Sequence, residues 1–482
     1  MDGACRELHH HSYCGRDSYK NYRDRNEASL RAFTAALKKT NIITHTKKQQ
    51  HPTDLPPRKN IYLNIDLKQR GVGGTTAGNR FPILNTSSMT NIMNFPIYLS
   101  SNNIFKKSPM KIAIFISFLC SQIFFSQGWK TSITALPGKE YPKINARHEA
   151  NFKVYFPNAK SVVLEGGDGM KDLKSAAVRG KDGYWTVHTS AMEPGFHYYW
   201  FNVDGKRTND PNTRLYFGYS QPTSGIEIPS GEDFFFVKKV PHGRIVNDSL
   251  YSETTRQQRK FKVYLPPDYG KGKFPVLYLY HGTGEDITGW EKQGHIGHIL
   301  DNLFAAKKAK EMIVVMDYGV ALTPEQEKMP DNYPRTVLSS RNLDQWLVSE
   351  LMPFIEKKYR TDEQKAVAGL SRGSYQAMLI GVLHPDIFSA VGAFSPVIYE
   401  ATENEPFKEL PVQNLLSSDK KPYFFIGIGE KEGSRFEEFN HILTDFFHRN
   451  HYAFTAYQSP GTYHEWLTWR RCLYQFSQKI FR

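Results

Sequence analysis

The sequence predicts an α/β domain built on a mostly parallel sheet, preceded by a smaller all-β sandwich. Two patterns carry this reading. From residue 276 onward, continuous apolar runs alternate with stretches of helical periodicity, as in strands buried on both faces and joined through helices. Between about residues 130 and 237, short alternating or aromatic runs are punctuated by turn signals, the pattern of a sandwich of short strands.

The first 109 of the 482 residues belong to neither pattern. They hold 17 Lys and Arg against 7 Asp and Glu, while the remaining 373 residues hold 45 against 41. The formal charge of +14 therefore lies mainly in a segment rich in Asn, Thr, Ser, Lys and Gln, without sustained periodicity. Residues 1–109 are expected to be disordered. With the excess placed there, and no basic–aromatic stripe elsewhere, a nucleic-acid partner is not expected.

Residues 110–126 read as a secretory signal peptide. Lys106, Lys107 and Lys111 flank an apolar run from Ile112 to Phe125, and Ser126 is the expected last residue before cleavage. The run is too short for a comfortable membrane span. Such leaders open on the initiator methionine, so Met110 is the expected native start and residues 1–109 are expected to be absent from the native protein. The alternative is a cytoplasmic tail followed by a signal anchor. The first reading implies a secreted or periplasmic product with no stable membrane insertion after cleavage. Cys472 is the only cysteine after residue 126, so no internal disulfide is possible in the mature chain. No metal-ligand spacing occurs, and neither metal nor cofactor is expected.

The sandwich is assigned to residues 127–238, with strands at 152–156, 161–164, 184–189, 196–203 and 225–228. Trp185, Tyr198, Tyr199 and Trp200 could stack on sugar rings, but core packing is the simpler role for each. The second domain is assigned to residues 239–482. Its strands are 276–280, 313–316, 366–368, 390–394 and 423–428, with a further one at 454–457. Its helices are 294–307, 343–358, 375–384, 436–450 and 466–481. In the last helix Trp466, Trp469, Leu473, Phe476 and Ile480 form one apolar stripe, fit for docking.

Gly369-Leu370-Ser371-Arg372-Gly373 sits between an apolar run and a helical pattern, the setting of a nucleophile elbow. The glycines leave room where a Cβ would collide with the neighbouring backbone. In chain order serine, acid, histidine, Ser371 is the candidate nucleophile. His464 is the candidate base, in a loop between the strand at 454–457 and the last helix. The acid belongs after the strand at 423–428, in Gly429-Glu430-Lys431-Glu432-Gly433; Glu432 is the first choice and Glu430 the second. The oxyanion hole needs two backbone N–H groups. Arg372, which follows the nucleophile, is one candidate donor; Thr283, in the loop His281-Gly282-Thr283-Gly284, is the other.

These stretches make residues 241–482 resemble the esterase D and feruloyl esterase group of α/β-hydrolases, which also holds enterochelin esterases and mycolyl transferases. The matching stretches include Val276-Leu-Tyr-Leu-Tyr-His-Gly282, Ala368-Gly-Leu-Ser-Arg-Gly373 and His464-Glu-Trp-Leu-Thr-Trp-Arg470. The preceding region is similar to the early-set, immunoglobulin-like modules found before such esterases, in Pro194-Gly-Phe-His-Tyr-Tyr199 and Ser224-Gly-Ile-Glu-Ile-Pro229. The resemblance implies a secreted bacterial serine esterase that removes feruloyl or acetyl groups from plant polysaccharides such as xylan, with Ser371, His464 and Glu432 as its triad. The group usually carries Asp at the acid position and Met-Gly-Gly after the serine; this chain has Glu432 and Arg372-Gly373-Ser374. Two other functions remain open: a siderophore esterase of the enterochelin type, and a non-catalytic carbohydrate-binding protein with a relic hydrolase domain. The loops at 320–335 and 399–413 are expected to line the pocket and decide its substrate.

Overall fold

In the computed structural model, the described residues are 128–167, 169–330, 333–398 and 412–482. The expected tail and leader, and most of the loop at 399–413, lie outside them. Eleven strands form the first part: β1 (Lys130–Thr131), β2 (Lys143–Ile144), β3 (Glu149–Tyr155), β4 (Val162–Gly166), β5 (Lys174–Ala176), β6 (Val178–Arg179), β7 (Tyr184–Ala191), β8 (Gly195–Val203), β9 (Lys206–Thr208), β10 (Leu215–Gly218) and β11 (Gln221–Ile228). They make two antiparallel sheets, ordered β1-β2-β3-β7-β6 and β10-β11-β8-β4-β5, with β9 paired to β8. Alternation on β3 and β7 sends Phe152, Val154, Trp185 and Val187 into a core shared with Leu164, Tyr199, Phe201 and Ile226 of the facing sheet.

A hairpin follows, β12 (Arg244–Ser252) and β13 (Gln257–Leu265), which the sequence reading did not resolve. Its strands lie at the sheet margin, and β12 buries little, so no continuous apolar run marks it. The remaining strands are β14 (Phe274–Tyr280), β15 (Ile313–Asp317), β16 (Thr361–Leu370), β17 (Ala390–Phe394), β18 (Tyr423–Gly429) and β19 (Phe454–Ser459). With the hairpin they form one eight-stranded sheet, β12-β13-β15-β14-β16-β17-β18-β19. Every pairing from β15 to β19 is parallel.

The helices are α1 (Gly289–Lys292), α2 (Ile296–Ala305), α3 (Tyr333–Trp346), α4 (Met352–Lys358), α5 (Arg372–Leu383), α6 (Val412–Ser417), α7 (Ser434–Arg449) and α8 (Trp466–Ser477). The single helix expected at 294–307 begins later, because His295 takes a left-handed φ of 51° between α1 and α2. The helix expected at 343–358 instead starts at Tyr333 and runs through a π-helical turn at Leu347–Leu351. Both sheet faces are covered. On β14, Leu277 and Leu279 pack toward α2 and α8, while Val276, Tyr278 and Tyr280 pack toward α3, α4 and α5. This is the α/β-hydrolase fold. Phe196, Tyr198 and Tyr216 of the sandwich join the core that contains Trp290 and Trp466, so the two parts share one apolar interior.

Candidate active site

Strand order reverses at β14: the chain continues to β15 on one side and to β16 on the other. In open parallel sheets the crevice beyond the carboxyl ends of such strands is where ligands bind. The loops after β14 and β16 both open there. Ser371 directly follows β16 with φ 52° and ψ −119°, a strained conformation for a residue with a side chain. A Cβ on Gly369 would lie 2.3 Å from the Gly373 carbonyl oxygen, and one on Gly373 would lie 2.7 Å from that of His281. The elbow therefore excludes side chains at both positions because backbone, which cannot swing aside, fills the space.

His464 stands in the loop between β19 and α8, with its Nε2 3.0 Å from Ser371 Oγ. Its Nδ1 lies 2.9 Å from Glu432 Oε2. Glu432 is buried, and its other oxygen accepts from Ser395 Oγ at 2.5 Å and from the Gly429 N–H at 2.9 Å. Glu430, the second choice for the acid, is exposed and accepts the Gly461 N–H instead. The structure thus brings together Ser371, His464 and Glu432, and leaves Glu430 outside the line.

Ser395 was missed in the sequence. It follows β17 with a φ of 51° and takes a hydrogen bond from Trp469 Nε1 at 2.9 Å, while its own hydroxyl donates to Glu432. The only available signal was a serine at a strand end, which is too common to single out. Phe436 was missed as well. Its ring stacks on the His464 imidazole with centroids 4.0 Å apart and planes 21° from parallel, while Trp469 meets the same imidazole edge-on at 5.1 Å.

Arg372 is the first residue of α5, directly after the nucleophile, so its N–H belongs to the first turn of the helix. Its guanidinium donates to the Gly282 carbonyl at 3.2 Å, tying the elbow to the loop after β14. Thr283 is exposed in that loop. Behind it, His281 Nε2 accepts the Gly319 N–H at 3.2 Å, which leaves Nδ1 to donate to the Gly282 carbonyl at 2.8 Å. Burial lowers the His281 pKa to about 3, with the Arg372 charge adding to the effect, so this imidazole is a neutral strut.

Trp185 and Tyr199 are buried in the sandwich, and Tyr198 faces the hydrolase sheet. Trp200 is half-buried, bonded to Glu165 and covered on one face by the Arg207 guanidinium 3.8 Å away.

Residues 252–477 match the family described as "Putative esterase". The chain is 37% identical over 361 residues to an endo-1,4-β-xylanase/feruloyl esterase of Xylanibacter ruminicola, a match covering 72% of this chain and 46% of that protein. The chain thus spans under half the length of that relative. Among solved structures, the enterochelin esterase of Shigella flexneri matches 75% of this chain and 97% of its own, at 16% identity and a TM-score of 0.53, which is a likeness of fold. A ferulic acid esterase of Anaeromyces mucronatus, solved with ferulic acid, matches 52% of this chain and 96% of its own, at 25% identity and a TM-score of 0.46. Residues 252–477 thus match the esterase family, and the chain is similar to the xylanase/feruloyl esterase relative.

Proposed function

We propose that this chain is a serine carboxylic-ester hydrolase acting on feruloyl or acetyl esters of plant polysaccharides such as xylan. The observation that carries the reading is the unbroken hydrogen-bonded line from Glu432 through His464 to Ser371. Ser371 Oγ attacks the ester carbonyl as His464 Nε2 takes its proton. Glu432 holds Nδ1–H, fixes the tautomer and stabilises the imidazolium. The Thr283 and Arg372 N–H groups receive the charge that develops on the carbonyl oxygen. The imidazolium then protonates the departing sugar alcohol. Water, deprotonated by His464, releases the acid from the acyl-enzyme. The polysaccharide substrate is supported by the relative from Xylanibacter ruminicola, whose name joins a xylanase to a feruloyl esterase.

Three finer assignments belong to the same proposal. Residues 127–238 form an immunoglobulin-like early-set domain and residues 239–482 the esterase domain. The leader at 110–126 directs secretion. The sandwich shapes the active-site face rather than serving as a strong sugar binder.

The test is incubation of the purified protein with feruloylated arabinoxylan, acetylated xylan and a catecholate trilactone. Release of ferulate or acetate is the expected result. Cleavage of the trilactone alone would move the assignment to siderophore esters. Retention on xylan without hydrolysis of any ester would replace the enzyme with a binding protein.

A further inference from the structure

The loop after β14 carries the Thr283 N–H that the proposed mechanism uses, and it is gripped from the sandwich side. In the turn between β10 and β11, Tyr219 and Ser220 both have positive φ, 58° and 62°. The Ser220 N–H donates to the Gly284 carbonyl at 2.8 Å. Gly284 has a φ of +76°, and a Cβ there would lie 3.3 Å from the backbone of both turn residues. The positive φ and the close backbone-to-backbone approach both favour glycine at this position.

The next residue, Glu285, is buried. Its Oε2 accepts the Gly282 N–H at 3.2 Å, and its Oε1 lies 3.3 Å from the Tyr198 hydroxyl of β8. Tyr198 is held in turn by Gln293, whose amide donates to the phenol oxygen at 2.7 Å. Gly282 adjoins the nucleophile: a Cβ on it would stand 3.5 Å from Ser371 Cβ. Residues 282–284 are therefore fixed at one end by Glu285 and at the other by Ser220, with Thr283 between them.

We infer that Glu285 is a positioning residue for the oxyanion loop, and that through Tyr198 and Ser220 the sandwich sets the geometry of that loop. The inference rests on the ester-hydrolase reading above. Burial pushes the Glu285 carboxyl up to about 8, so at pH 7 it is mostly protonated. The groups facing it are the Tyr198 hydroxyl from β8, the Trp466 indole from α8 and the Asp286 carboxylate of its own loop; Asp286 raises the value further. Loss of the Glu285 proton places a second carboxylate beside Asp286, in a site that disfavours charge, and changes the bonds at Gly282 and Tyr198. Turnover therefore carries an alkaline step near this value.

The test measures kcat and KM for a soluble aryl ester from about pH 6 to 10, with thermal melts as a check on folding. Glu285→Gln keeps a neutral acceptor and removes the titration. It is expected to retain kcat at pH 7 within about threefold and to lose the alkaline step. Glu285→Leu leaves the Gly282 N–H unbound and is expected to lower kcat roughly 10–100-fold with KM little changed, the size set by a misplaced oxyanion donor. Tyr198→Phe is expected to lower kcat by about threefold to tenfold. The inference is overturned if the folded Leu and Phe variants turn over at the wild-type rate, or if the Gln variant keeps the alkaline step. Should Glu285→Leu fail to fold, the other two variants still decide. A Ser371→Ala protein that stays active would instead sink the hydrolase reading itself.

Discussion

The triad edge and the seam between sandwich and hydrolase each set an acidic side chain against a basic one, yet they differ in how their geometry is encoded. At the triad edge, Ser371, Glu432 and His464 each lie a few residues past the end of a parallel strand, so sheet topology alone delivers them to one rim. At the seam, Arg470 of α8 is fully buried and donates to both oxygens of Glu227 on β11, at 2.7 and 2.8 Å. Its Nε donates to the Gln293 carbonyl at 2.7 Å, and its guanidinium lies over the Phe235 ring. Two elements far apart in the chain must converge before either charge is compensated. The triad is organised for chemistry and tolerates partial exposure. The seam has no room for error, because one missing partner strands a charge in an apolar core.

The comparison predicts opposite consequences for single substitutions in the two regions. The largest effect belongs to the triad. Ser371→Ala is expected to reduce kcat by about 10⁶-fold and Glu432→Gln by about 10⁴-fold, with the melting temperature nearly unchanged. Glu430→Gln is expected to leave kcat within about twofold, and equal losses from the two glutamates would break the assignment of the acid. At the seam the cost falls on stability. Glu227→Ala leaves the Arg470 guanidinium buried and unpaired and is expected to cost about 3–5 kcal/mol in denaturant unfolding. Replacing both residues with apolar ones of similar volume recovers most of that cost. A single-variant cost below about 1 kcal/mol would show that the pair is solvated.

Smaller effects sharpen the boundary between the regions. Ser395→Ala removes a hydrogen bond to the Glu432 carboxylate worth about 1.5–3 kcal/mol. It is expected to lower kcat by roughly 10–100-fold while leaving KM in place, and a change confined to KM would contradict a role through Glu432. Phe436→Leu removes the ring stacked on His464. A cation–π contribution to the imidazolium of about 0.5–1 kcal/mol corresponds to a drop in kcat of roughly twofold to fivefold. No change in kcat would leave the stacked ring as packing only.

Much of this was legible in the sequence for a physical reason. Short continuous runs such as Val276 to Tyr280, alternating with helical stretches, read as strands buried on both faces, and the glycines around Ser371 mark a turn where backbone meets backbone. What followed directly from a strand end could therefore be read along the chain. The β12–β13 hairpin could not, because β12 is mostly exposed and Lys262 interrupts the buried apolar end of β13. Ser395, Phe436 and Glu285 could not either, since their significance comes from what lies across the site. Arg470 and Glu227 fall within stretches that carry the family resemblance, but neither stretch shows that they pair. Periodicity reports which face of an element is buried, and only the assembled fold reports what waits there.

The most direct test of the central claim is covalent labelling with a fluorophosphonate, followed by mass spectrometry of the peptide containing residue 371. The account predicts a single adduct on the Ser371 oxygen, abolished in Ser371→Ala and strongly slowed in a His464→Ala variant that retains its fold. Labelling at another residue, or equal labelling of all three proteins, would contradict it.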